Sequence, residues 1–278
     1  MIKTAAASLL LVAAFGPVRS KAEPLEHLPA LAGDYFEIQS AVVGRPYHIY
    51  VRLPADYAKT DRLYPTVYLL DGDSLFPMLG ALHLFLTYDE KTPEAIIVGI
   101  AYGAFDPAIN KRDVDFRAPP GDDGDKAGGA ARFQRFLGAE LIPEIEKRYR
   151  SDRAERVLVG QSHGGQFVLY SALTAPDMFR GRIASNPSMK PNVEFFYGAA
   201  DRPKRHDLKL FFASGSRDRE HLRAEALKWS ASWADREKPW ALRFETIEGG
   251  THAASIPEVY RRGMLWLFED KAPPSSPK

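Results

Sequence analysis

Apolar residues in this chain fall into two kinds of run, and their alternation predicts the architecture. Tyr47-His48-Ile49-Tyr50-Val51-Arg52-Leu53 alternates as a half-exposed strand does, and Tyr35-Phe36-Glu37-Ile38 is placed to pair with it as an antiparallel edge. Four continuous apolar runs follow: Thr66 to Leu70, Ala95 to Ala101, Val157 to Val159 and Leu208 to Ala213. Such runs suit parallel strands covered on both faces. Ala241 to Ile247 is a last strand candidate. Between them, Phe133, Phe136, Leu137, Leu141, Ile142 and Ile145 recur at spacings of three and four, predicting a helix from near Gly129 that Pro143 should kink. Leu222 to Trp233 and Ile256 to Phe268 are further amphipathic helices. Strands alternating with helices imply crossovers and a mostly parallel sheet, so the fold class is α/β in one domain.

The first 22 residues break this pattern. A positive start at Lys3, an apolar run from Ala5 to Phe15 and small residues at Ser20 and Ala22 read as a signal peptide cleaved after Ala22. The expected organisation is therefore residues 1–22 as leader, 23–271 as the folded domain and 272–278, Pro- and Ser-rich, as a disordered tail. The expected location is periplasmic or secreted. The apolar run is too short for a permanent membrane span.

Composition narrows the chemistry. The chain carries 37 basic and 36 acidic residues, well mixed, which leaves no basic stripe for nucleic acid. It has no cysteine, so thiol catalysis, disulfides and thiolate metal sites are excluded. No metal or other cofactor is expected. Gly103 to Gly128 is glycine-rich, charged and aperiodic, a length usually functional in compact domains.

The chemical signal is Gly160-Gln161-Ser162-His163-Gly164, directly after Arg156-Val157-Leu158-Val159. A strand entering Gly-x-Ser-x-Gly is the turn that lifts a serine hydroxyl above an α/β-hydrolase sheet. Serine needs a base, and the base an orienting acid, in the chain order Ser, Asp or Glu, His. Asp218 lies just past the Leu208–Ala213 strand, with Glu220 as the alternative acid. Of seven histidines, His252 in Glu248-Gly249-Gly250-Thr251-His252 satisfies both order and loop placement. An oxyanion hole needs two backbone donors. The N–H of His163 is one, and the N–H of Asp73 in Leu69-Leu70-Asp71-Gly72-Asp73 is the expected second. The His163 side chain should only pack or face the pocket.

These pieces resemble the secreted and periplasmic members of the esterase D family, the α/β hydrolases that include the ferric-enterobactin esterases. The resemblance rests on Tyr64 to Gly72, Arg112 with Asp115-Phe116, Gly128-Gly129, the serine turn, Ser185-Asn186-Pro187-Ser188, Gly215 with Asp218, and Gly249 to His252. It implies cofactor-free hydrolysis of carboxylic esters or thioesters by Ser162, Asp218 and His252. His163 departs from the leucine or methionine usual after the serine, and Arg117 from a frequent threonine. Two substrate classes stay open: a small-molecule ester of general acyl or aryl type, and a ferric siderophore. Arg112, Arg117 and Lys190, with Lys111, are candidate binders of an anionic substrate, against the plainer reading that Arg112 pairs with Asp115 to hold the long loop. A catalytically silent binding protein on the same fold is the alternative from a different class.

Overall fold

In a computed structural model, residues 33–90, 92–119 and 128–271 are described. The expected leader and tail lie outside the described residues. Eight strands form one sheet: β1 (Gly33–Ser40), β2 (Arg45–Arg52), β3 (Tyr64–Leu69), β4 (Ile96–Ala101), β5 (Ser151–Gln161), β6 (Gly181–Ser185), β7 (Lys209–Gly215) and β8 (Ala241–Ile247). Their order across the sheet is β1-β2-β4-β3-β5-β6-β7-β8. The β1–β2 and β2–β4 pairs are antiparallel, with Phe36 opposite Ile49, and every later pair is parallel.

The helices are α1 (Gly72–Asp89), α2 (Arg112–Asp115), α3 (Ala130–Phe136), α4 (Ile142–Arg148), α5 (His163–Thr174), α6 (Glu220–Ala234) and α7 (Ile256–Leu267). Period-two alternation in the buried strands divides the core between the sheet's two faces. Tyr68, Val98, Leu158 and Phe212 belong to one cluster, with Phe133 of α3, Phe167 of α5 and Trp229 of α6. Val67, Ile97, Val159 and Phe211 belong to the other, with Leu79 of α1 and Val259 and Met264 of α7.

Three local features differ from the sequence expectation. The break at Pro143 takes the form of a π turn, Leu137–Leu141, joining α3 to α4. Proline has no N–H for the Ala139 carbonyl, and the wider turn absorbs that lost bond. β6 was not expected, because Gly181-Arg182-Ile183-Ala184-Ser185 places a charge at its centre. Arg182 is nonetheless fully buried, donating to the carbonyls of Ser171, Ala175, Pro176 and Phe179 at 2.7–3.1 Å. α1 was also missed: its apolar residues occupy buried and exposed positions alike, with Leu79 and Leu86 inside but Phe85 and Tyr88 outside, so no single stripe marks it.

His83 of α1 is fully buried. Tyr260 of α7 donates to its Nδ1 at 2.9 Å, and its Nε2–H donates to the Pro93 carbonyl at 3.1 Å, a pattern that fits the neutral ring. Burial, with Arg52 nearby, lowers its pKa from 6.5 to about 4. The unfolded chain then binds the additional proton between those values, and stability falls as pH drops through that window. Urea midpoints of the wild type should therefore decline more steeply from pH 7 to 4.5 than those of His83→Gln. Parallel declines would place the acid sensitivity in other groups.

Candidate active site

β5 ends at Gln161 and α5 begins at His163, so Ser162 alone turns the chain. Its φ is 58°, in the left-handed region that side chains other than glycine rarely occupy. The motif's glycines allow the tight passage: a Cβ on Gly160 would stand 2.3 Å from the Gly164 carbonyl oxygen, and one on Gly164 3.1 Å from an Asp71 carboxylate oxygen. The turn is held by the Ser162 N–H on the Ser185 carbonyl (3.0 Å) and the Ser188 N–H on the Ser162 carbonyl (3.1 Å).

Loops from β7 and β8 bring two partners to this serine. Ser162 Oγ lies 2.9 Å from His252 Nε2, and His252 Nδ1 lies 2.9 Å from Asp218 Oδ1. With Nδ1–H donating to the carboxylate, Nε2 is free to accept the serine proton. The Asp218 carboxylate is buried, and the Arg219 N–H donates to the same oxygen at 2.6 Å. Glu220, the alternative acid, is exposed at the start of α6, and the ion pair of His252 among the described residues is with Asp218.

Two side chains that the sequence did not single out for a role hold these loops in place. Gln161 Nε2 donates to the His252 carbonyl at 2.6 Å. Asn186, beyond β6, accepts the Gly215 N–H at 2.7 Å and donates to Ser255 Oγ at 2.6 Å, bridging the acid loop to the start of α7.

Asp73 and His163 occupy the first turns of α1 and α5, where backbone N–H groups have no helical partner, and both line the cavity at Ser162. The Asp73 carboxylate accepts the N–H groups of Tyr102 (2.8 Å) and Gly103 (2.9 Å), fixing the β3–α1 turn to the end of β4. The His163 ring does face the cavity, with Nδ1 2.7 Å from Asp113 Oδ1.

The candidate substrate cations separate. Arg112 lines the cavity, but its guanidinium is engaged by Asp71 at 2.7 and 2.9 Å, with the Gln161 carbonyl and His163 Nδ1 each at 3.4 Å. The expected Arg112–Asp115 pair is not formed. Asp115 instead receives Arg45 and the hydroxyls of Tyr47 (2.6 Å) and Tyr102 (2.9 Å). Burial raises the Asp115 pKa against the opposing pull of those partners. Arg117 and the exposed Lys190 do not line the cavity. Cavity residues to which the sequence assigned no site role include Phe105, Ser188, Arg219, His221 and Leu222. The cavity measures about 430 Å³.

Residues 40–254 match the model of the Esterase family. The chain belongs to that family. It is 33% identical over 196 residues to the ferri-bacillibactin esterase BesA of Bacillus subtilis (strain 168), covering 64% of this chain and 68% of the relative. It is 32% identical over 157 residues to an apo-salmochelin esterase of Escherichia coli O6:H1, about half of each chain. The crystal structure of the BES protein from Bacillus cereus superposes with a TM-score of 0.75 at 26% identity, covering 89% of this chain and 98% of that one. The architecture is the α/β-hydrolase fold, and the esterase is a carboxylic ester hydrolase.

Arg112 spans the turn that carries Asp73 and the turn that carries Ser162. Its loss should disturb the spacing of the reacting groups more than substrate affinity. Arg112→Met is expected to lower kcat about ten- to a hundredfold with KM near the wild-type value. A raised KM at unchanged kcat would mean that the guanidinium reaches the substrate instead.

Proposed function

We propose that the protein hydrolyses a siderophore ester through an acyl-enzyme on Ser162, with His252 as general base, Asp218 as its orienting acid, and the N–H groups of Asp73 and His163 as the oxyanion hole. The observation that carries this reading is the continuous chain Ser162 Oγ, His252 Nε2, His252 Nδ1 and Asp218 Oδ1, both links 2.9 Å. As Oγ attacks the ester carbonyl, its proton passes to Nε2 and the carbonyl oxygen takes up negative charge between the two N–H donors. Collapse expels the alcohol, which takes the proton from Nε2. Water, deprotonated by the same nitrogen, then releases the acid and restores Ser162. Asp218 keeps the ring in its working tautomer and stabilises the imidazolium without taking the proton.

The substrate class is supported by the relatives, named for ferri-bacillibactin, apo-salmochelin and, in Aspergillus fumigatus, triacetylfusarinine C. The cavity offers both kinds of contact: Leu75, Phe105 and Leu222 supply apolar wall, and the remaining lining residues are charged or hydrogen-bonding. The binding-only alternative is not favoured, since the chain belongs to a family of ester hydrolases. Export remains part of the proposal. No helix among the described residues is long and apolar enough to cross a membrane, and a mature N-terminus at Glu23, read by mass spectrometry of exported protein, would establish cleavage after Ala22.

Ser162→Ala should reduce kcat on p-nitrophenyl butyrate by about 10⁴-fold or more, because triad members act as a unit. Asp218→Asn should lose on the order of 10⁴-fold, while Glu220→Gln stays within about twofold of wild type. A larger loss in Glu220→Gln would transfer the acid role. Purified mature protein should release linear fragments from a ferric tris-catecholate trilactone, followed by chromatography. Turnover of simple aryl esters without any such release would turn the reading toward a general carboxylesterase.

A further inference from the structure

We propose that Arg219, together with His221, reads negative charge on the substrate beside the ester bond, so that the segment directly after the triad acid sets specificity. This rests on the reading of Ser162 as the nucleophile. Arg112 and Arg219 are the two arginines among the residues that line the cavity with Ser162 and His252. The first is already neutralised by Asp71. The Arg219 guanidinium has no carboxylate or carbonyl partner among the described residues, and the His221 ring is likewise without one. Neither cavity carboxylate is paired with Arg219 among the described residues: Asp71 holds Arg112, and Asp73 accepts two backbone N–H groups.

The backbone makes this cation part of the site. The Arg219 N–H donates to Asp218 Oδ1, the oxygen that also faces His252 Nδ1, and the Arg219 carbonyl accepts the N–H groups of Leu222 and Arg223. The main chain at Arg219 is thus fixed relative to the reacting groups while the side chain stays free. An exposed arginine anchored there can reach a carboxylate or phenolate oxygen within one side-chain length of the scissile carbonyl. That charge could sit on the acyl or on the alcohol portion of the ester, and the two are separable by synthesis.

The test uses two pairs of near-isosteric esters. One pair is 3-carboxyphenyl butyrate and its methyl ester, with the charge on the alcohol. The other is monophenyl isophthalate and its methyl ester, with the charge on the acyl group. Wild-type enzyme should favour the charged member of one pair about tenfold or more in kcat/KM, with the preference shrinking as ionic strength rises. Arg219→Gln keeps the N–H to Asp218 and should bring that ratio close to one through KM, Arg219→Lys should keep part of it, and His221→Gln should lower it further in combination with Arg219→Gln. No charge preference in either pair, or a ratio unchanged in Arg219→Gln, overturns the proposal. An equal loss on charged and neutral esters through kcat, in a variant of unchanged melting temperature, overturns it too, because Arg219 would then act on Asp218 rather than on substrate. Ser162→Ala run alongside separates the two readings. Persistent turnover in that variant defeats the nucleophile assignment, whatever the charge preference.

Discussion

The left-handed backbone of Ser162 is the constraint on which the rest of the site depends. A residue with φ near +60° reverses the chain within one peptide, so β5 hands over to α5 without a loop. That reversal costs about 1–3 kcal/mol of local strain. It is sustained by bonds from both sides, the Ser185 carbonyl accepting from Ser162 and the Ser188 N–H returning to it. The same reversal aims the serine hydroxyl away from the sheet and opens the first turn of α5 toward the cavity. Relaxing φ would move the Ser162 hydroxyl and the His163 N–H together.

Around that fixed point the site is assembled by ties between loops that belong to different strands. Asp71–Arg112 joins the β3 turn to α2, beyond β4, Gln161 holds the β8 loop, and Asn186 clasps the β7 loop to α7. Each is a hydrogen bond between partners more than 25 residues apart in sequence, and each is half-buried or buried. Such bonds are expensive to leave unmade. They act as a set of distance restraints on Ser162, His252 and Asp218, whose own contacts are few. The geometry at Ser162 is thus a property of the sheet edge as a whole.

Much of this was legible in the residues, for identifiable reasons. The central parallel strands are continuous apolar runs, and the serine turn combines a strand with glycines, of which Gly160 has no room for a Cβ against the Gly164 carbonyl. Asp218 and His252 follow from chain order and from glycine-flanked loops. What escaped has physical causes. β6 carries a buried charge that only its carbonyl partners make tolerable. α1 is apolar on its outer side as well, which erases its period. The partner of Arg112 lies 41 residues away at Asp71, whereas Asp115 is three positions along the chain, and local spacing misled. Arg117 and Lys190 are close to the site in sequence order but not on the cavity wall, while Arg219 follows the acid directly and is on it.

Arg182 gives α5 a second meaning. Its guanidinium collects the carbonyls of Ser171 and Ala175 at the helix's C-terminal end, and although burial lowers its pKa to about 9 it remains a cation at neutral pH. The negative pole of the helix is therefore quenched, roughly 18 Å from the opposite end at 1.5 Å per residue. The positive pole, at His163, faces the Ser162 cavity among the Asp71–Arg112 pair and Asp113. Arg182, remote from the cavity, thus settles the charge at the buried end of α5 and leaves the end at Ser162 to be set by its own neighbours.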